Sequence, residues 1–271
     1  MLFLPIADDN PTHRIPFVTW TLMGLCIAVF LWQQSLSPQD QMRAIYSFGV
    51  IPAVLFGSQS LPAEADVIPA WASIVSSMFM HGGWLHLGGN MLYLWIFGNN
   101  VEDSMGHGRF LAFYLLCGVV AALAQSVPAP ESVVPMVGAS GAIAGVLGAY
   151  LLLHPRANVR VFMWLLIIVR IINVPAAVVL GGWFLMQSIS GLQAPADEGG
   201  VAFLAHIGGF IAGVALIPLF RERGVPLLAG ARSRPFQVVK AADLRRGGGG
   251  SVPAVKLSDR HRRPRGPWDK S

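Results

Sequence analysis

The stretch that decides the fold is Val134–Pro155, "VPMVGASGAIAGVLGAYLLLHP". It places one serine, Ser140, between Ala139 and Gly141 at the head of an apolar run that continues to Leu153. Ser140 to Leu153 is 14 residues, about 21 Å as a helix, against a hydrocarbon core about 30 Å thick. With His154–Pro155–Arg156 at the cytoplasmic face, the outer end stops roughly 9 Å short of the far side. The preceding "SVPAPESVVPMVGA" is rich in proline, and irregular backbone at that depth is tolerated only inside protein or around a water-filled cavity. Ser140 is therefore expected on the floor of an aqueous depression, on a first helical turn whose free N–H groups point into it.

Composition agrees with a membrane setting. Apolar residues make up 54% of the 271, charged residues 12%, and mean hydropathy is +0.57. A soluble domain carries about 25% charged residues. The net charge of +5 is a property of one end: residues 1–220 hold 6 basic and 10 acidic side chains, residues 221–271 hold 13 and 4. With "RRGGGGS" and few large apolar residues, segment 221–271 cannot bury a core and is expected to be a disordered cytoplasmic tail near anionic lipid, with no nucleic-acid partner. Cys26 and Cys117 each sit in an apolar run and read as packing residues.

Six candidate spans are legible: near 15–33, 85–99, 110–124, 140–155, 175–189 and 201–220. Segment 159–172 is apolar but bracketed by Arg160 and Arg170, and reads as an interfacial lead into the fifth span. Lysine and arginine placement puts both chain ends inside: Arg14, Arg109, Arg156, Arg160 and the segment from Arg221 fall on one side, and only Arg43 on the other. The expected fold is an all-α polytopic bundle of six transmembrane helices in an inner or plasma membrane. Residues 1–14 form a cytoplasmic segment, 15–220 the core and 221–271 the tail.

Gly141, Gly145 and Gly148 share one helical face, as do Gly209 and Gly213 in the sixth span, and small residues so spaced let membrane helices approach closely. His206 lies on the Gly209 stripe, about 7.5 Å below the outer surface. Matching depth and a shared contact face pair a hydroxyl with an imidazole, the parts of an activated nucleophile. Serine at such an interface is ordinarily packing, and histidine near a span's end ordinarily interfacial; depth, face and cavity together favour chemistry. In "HGGWLHLGGN", His86 and Asn90 share a helix face one turn apart. With the Ser140 N–H, they suit donors to a developing oxyanion. Three histidines could instead hold a metal, but no HExxH pattern or neighbouring carboxylate accompanies them.

These residues resemble the rhomboid family of intramembrane serine proteases. "HGGWLHLGGN" is similar to that family's H-x4-H-x3-N motif, "GASG" to its G-x-S-G, and "AHIGGFIAG" to its A-H-x-x-G-x-x-x-G, all in order. The resemblance covers about residues 1–220. It implies Ser140 as nucleophile, His206 as general base, and His86, Asn90 and the Ser140 N–H as the oxyanion hole. Gly138 would shape the loop, His81 support the outer loop, and Gly141 and Gly209 the helix contact; Glu102 and Arg109 would be structural. Neither cofactor nor metal is implied, and the implied partners are the lipid bilayer and single-span membrane proteins cut in or near their spans. Ala144 departs from members that carry an aromatic there, stacked on the histidine. An inactive rhomboid-like protein that binds membrane clients is the alternative, and it would lack Ser140 or His206. A transporter would need an inverted repeat with discontinuous helices in both halves, and none is seen. Within the fifth span, Trp183 and Phe184 are expected to pack against the second span. With loop 191–200 they would form a gate that opens on their removal.

Overall fold

The computed structural model describes residues 2–165, 167–193, 202–231 and 233–239. Strand β1 (Leu2–Asp8) leads into α1 (Phe17–Ser35). Three short helices follow, α2 (Pro38–Phe48), α3 (Pro52–Leu55) and α4 (Ser73–Ser76). Then come α5 (Trp84–Met105), α6 (His107–Ser126), α7 (Ser140–Leu153), strands β2 (Asn158–Leu165) and β3 (Ile168–Pro175), α8 (Ala176–Gln193) and α9 (Phe203–Phe220). Among the described residues α1, α6 and α9 are long and apolar enough to cross a membrane, and α7 and much of α8 are shorter apolar helices. α5 is the longest at 22 residues but carries Asn90, Asn99, Asn100, Glu102 and Asp103 along its length.

The architecture is mostly helical, and the all-α expectation fails at one place. β1, β2 and β3 form an antiparallel sheet in that order. The segment expected to be an interfacial lead is its hairpin. Its "NVRVFMWL" and "IVRIINVP" are dense in β-branched residues, whose side chains fit a pleated surface better than a helix. Pro5 falls on edge strand β1, opposite Val161, where a missing N–H is tolerated.

Segment 221–239, expected to lack structure, is tied to the bundle. Leu228 and Ala229 N–H groups donate to the Leu152 and Leu153 carbonyls at 2.8 Å each, and Phe236 N–H donates to Asn173 O at 2.7 Å. Arg14 makes a two-pronged ion pair with Glu222 at 2.7 and 2.8 Å, which lowers the Glu222 carboxyl below its ordinary range. Residues 240–271 lie outside the described residues.

Core packing centres on α7, whose residues from Gly141 to Tyr150 are all buried. The glycine faces meet as expected: a Cβ at Gly209 would overlap the Gly141 carbonyl, and one at Gly213 the Gly145 carbonyl. Backbone-to-backbone contact leaves no room for any other residue, so these glycines fix the spacing of α7 and α9. Cys26 and Cys117 are free and buried.

A buried polar cluster joins the sheet to the foot of α7. Tyr150 Oη donates to Asp8 Oδ2 at 2.7 Å, Asn100 Nδ2 donates to the same oxygen at 2.8 Å, and Asn10 Nδ2 donates to Asn100 Oδ1 at 2.7 Å. Burial, aided by neighbouring Asp9, raises the Asp8 carboxyl to about 7 against the pull of the Tyr150 hydrogen bond. Glu102 is fully buried. It accepts from Val18 N–H at 3.0 Å, Thr19 N–H at 2.8 Å and Thr19 Oγ1 at 2.6 Å. It thereby supplies the carboxylate cap that α1 lacks in its own sequence. Arg109 is exposed.

Candidate active site

Ser140 is the first residue of α7, preceded by Ala139, with no side-chain cap on the helix N-terminus. Its first N–H groups are therefore directed into the space above the serine. His206 lies in the first turn of α9, at 8% exposure. Its Nε2 is 2.8 Å from Ser140 Oγ. The contact follows from the glycine faces: Gly209 is pressed against Gly141, which brings His206, one turn before Gly209, to Ser140, the residue just before Gly141. The described α9 starts at Phe203 rather than near 201, so His206 is nearer its helix head than the sequence suggests.

A cavity of about 660 Å³ opens over this pair, lined by His86, Asn90, Gly138, Ser140, Trp183 and His206 among others. α5 contributes His86 and Asn90. Gly82 N–H donates to His86 Nδ1 at 3.4 Å, which leaves Nε2 to carry the imidazole proton. That nitrogen faces the loop before the serine, since a Cβ at Gly138 would stand 2.8 Å from His86 Nε2. Gly138 also has φ +131°, a backbone state that side chains strain. Both facts require glycine there, and Gly138 N–H anchors the loop on Ser77 O at 2.9 Å. Asn90 is 7% exposed, and its Nδ2 is buried without a hydrogen-bond partner among the described residues. An orphaned buried donor costs about 1–3 kcal/mol, which a folded chain sustains where a ligand atom completes the bond.

His81 stands apart from this group. Its ring Nδ1 is 3.2 Å from Phe79 O, and its backbone exchanges hydrogen bonds with the Gln33 side chain at 3.1 and 3.2 Å. It packs edge-on to His86, ring centroids 5.2 Å apart, and so braces that ring from behind. Seven of the eight residues singled out from the sequence thus surround the cavity or set the contact beneath it, and His81 supports from outside.

α8 departs from expectation. Its aromatics face α9: the Trp183 ring centroid lies 5.8 Å from His206 and 6.2 Å from Phe210, and Phe184 stacks on Phe210 at 4.5 Å. They do not read as a latch against the second span, so the expected gain from removing Trp183 no longer follows. Instead Trp183 supplies, from a different helix, the aromatic neighbour of the histidine that Ala144 cannot provide. Loop residues 194–200, the other half of the expected gate, lie outside the described residues. One site residue was missed altogether: Gln187 Oε1 lies 2.7 Å from His206 Nδ1. Its signal was an amide in an otherwise apolar span, one turn after Trp183.

Chemically, the arrangement sets a hydroxyl against an imidazole, with the Asn90 amide and the head of α7 lining the same cavity. Comparison with known proteins agrees with the motifs. Residues 69–223 match the Rhomboid domain. The chain is 31% identical over 201 residues to the "Rhomboid protease GluP" of Bacillus subtilis, covering 73% of this chain and 34% of that one. It is 29% identical over 206 residues to "Rhomboid protein 1, mitochondrial" of Saccharomyces cerevisiae, covering 73% and 51%. With "Rhomboid-like protein 11, chloroplastic" of Arabidopsis thaliana, identity is 30% over 164 residues, covering 57% and 54%. The chain spans between about a third and just over a half of the length of these curated relatives, 34% to 54%. With its three motifs in order, a helical bundle built on the α7–α9 glycine contact and a domain match over 69–223, this chain belongs to the rhomboid family of multi-pass membrane proteins, which includes serine proteases.

Proposed function

We propose that this protein is an intramembrane serine protease that cuts single-span membrane proteins in or near their transmembrane segment, using Ser140 and His206. The observation that carries this reading is the 2.8 Å contact between Ser140 Oγ and His206 Nε2, opening on a cavity that also holds a buried amide donor, Asn90 Nδ2, with no partner among the described residues. In the first half-reaction Ser140 Oγ attacks the scissile carbonyl carbon as its proton passes to His206 Nε2. The carbonyl oxygen becomes an oxyanion and accepts from Asn90 Nδ2, His86 Nε2–H and the Ser140 N–H, donors that act where charge develops. The C–N bond then breaks as His206 returns the proton to the leaving amine. In the second half water gives a proton to His206 and attacks the acyl carbon. Collapse breaks the bond between the acyl carbon and Ser140 Oγ, His206 returns its proton to Oγ, and the carboxylic acid leaves. No cofactor enters this cycle.

The membrane reading extends to six spans, with α5, α7 and α8 crossing beside α1, α6 and α9, in an inner or plasma membrane. β1, the β2–β3 hairpin and segment 221–239 gather at the foot of α7, about 21 Å from Ser140 along the helix. That end belongs on the cytoplasmic side by its arginines, leaving the cavity toward the outer face, open to water and to substrate entering from the bilayer. The test is cleavage of a labelled single-span reporter by the purified protein in detergent or nanodiscs. Wild type should release two fragments and Ser140→Ala none; equal cleavage by both would overturn the proposal.

A further inference from the structure

We infer that Gln187, on α8, is a positioning residue that fixes the tautomer and ring plane of His206. The inference rests on the reading of Ser140 and His206 as nucleophile and base. For His206 Nε2 to accept the Ser140 proton it must be bare, so the ring's single proton must sit on Nδ1. Gln187 Oε1, 2.7 Å from Nδ1, is the acceptor that holds it there. An imidazole with no acceptor on that side is free to carry its proton on Nε2 instead, where it faces the serine hydroxyl and cannot act as a base.

A second contact comes from the same helix face. Trp183 is four residues before Gln187, so the two side chains lie one above the other on α8. The Trp183 ring is tilted 40° against His206 at 5.8 Å, and limits rotation of the imidazole while Gln187 holds its edge. α9 carries the base, α7 the nucleophile, and α8 orients the base between them. Serine–histidine–aspartate sites use a carboxylate in this position, and the cysteine–histidine–asparagine sites of papain-like proteases use an amide. An amide orients without adding charge, which suits a site where a further buried carboxylate would need solvation. The arrangement also makes the base depend on the position of α8: movement of this helix away from α9 would release His206 from both contacts.

The test uses the full chain in nanodiscs with a single-span reporter, comparing Gln187→Leu, Gln187→Glu and wild type after thermal unfolding has established that each is folded. Gln187→Leu removes the acceptor at similar volume and should lower kcat about 10²-fold, short of the roughly 10⁴-fold loss that follows a wrong tautomer in carboxylate-oriented sites, with KM within about twofold. Gln187→Glu restores an acceptor to Nδ1 and should recover most of the lost kcat. The rate of Ser140 labelling by a fluorophosphonate should fall and recover in parallel. Wild-type kcat in Gln187→Leu would overturn the inference. So would equal losses in both variants with a raised KM, the pattern of a merely structural residue. Equal reporter cleavage by wild type and Ser140→Ala would instead remove the nucleophile reading, and this inference with it.

Discussion

Asn90 offers a test in which catalysis and stability move in opposite directions. Its Nδ2 is buried and has no partner among the described residues; a donor so desolvated costs a folded protein about 1–3 kcal/mol. If the bond is completed only by the oxyanion of a reacting substrate, the donor stabilises the transition state and not the resting enzyme. Asn90→Leu keeps the side-chain volume and deletes the donor. Unfolding free energy should then rise by about 1 kcal/mol, the lower end of the orphan cost, because Leu also loses the polar environment of the cavity wall. The same change should lower kcat about 10²–10³-fold, roughly 3–4 kcal/mol of transition-state stabilisation. KM should stay nearly constant, since the ground-state carbonyl gains little from this donor. Thermal or denaturant unfolding in detergent gives the first quantity and steady-state reporter cleavage the second. A variant that is less stable and keeps wild-type kcat would show that Asn90 is a structural residue.

Other sites carry further predictions. Raised from 3.8 to about 7, Asp8 favours its protonated form in the folded state. Its contribution to stability is full below pH 3.8 and is lost as pH rises through about 7, at most about 1.4 kcal/mol per pH unit. Melting temperature should therefore fall between about pH 4 and 7 and level off above that, and Asp8→Asn should flatten that fall; an unchanged slope in Asp8→Asn would assign it elsewhere. Glu102→Ala leaves Val18 N–H and both Thr19 donors unpartnered and should cost roughly 3 kcal/mol or more of stability, read as a drop in melting temperature without a change in kcat per folded molecule. Truncation after Arg223 removes the Leu228 and Ala229 hydrogen bonds to the foot of α7 and should destabilise the protein. Truncation after Val239 should leave both stability and reporter cleavage intact.

What the sequence made legible follows from which interactions are local or periodic. The α7–α9 contact could be read because glycines at helical spacing admit one solution, backbone against backbone, and that contact carries Ser140 and His206 with it. Asn90 and His86 were found for the same reason, one turn apart on a single helix. The sheet was missed because residues 1–14 were read as a cytoplasmic segment and 159–172 as an interfacial lead into the fifth span. The Val and Ile density of 159–172 was a strand signal, but pairing β1 with β2 joins residues 151 to 162 positions apart, from Asp8 with Val159 to Leu2 with Trp164, which no local pattern specifies. Segment 221–239 misled through composition: backbone bonds to Leu152, Leu153 and Asn173, the Glu222 ion pair with Arg14 and two apolar side chains, Val225 and Leu227, against the core hold it without a core of its own. α2 left a readable mark, Ser37 and Asp40 flanking Pro38, with Ser37 Oγ accepting from Asp40 N–H at 3.2 Å, the signature of a helix start. Gln187 and Trp183 escaped because their role depends on which face of α8 turns toward α9, and the span's glycines and bulky residues suggest a hinge as readily as a support.

The central claim is that Ser140 is a nucleophile activated by His206, and covalent labelling tests it without any choice of substrate. The folded protein in nanodiscs is treated with a fluorophosphonate and the adduct located by peptide mass spectrometry. The account predicts one adduct, on the peptide bearing Ser140, formed at a rate that collapses in His206→Ala while that variant still melts cooperatively. Labelling of another serine in place of Ser140, or undiminished labelling of Ser140 in folded His206→Ala, would contradict it.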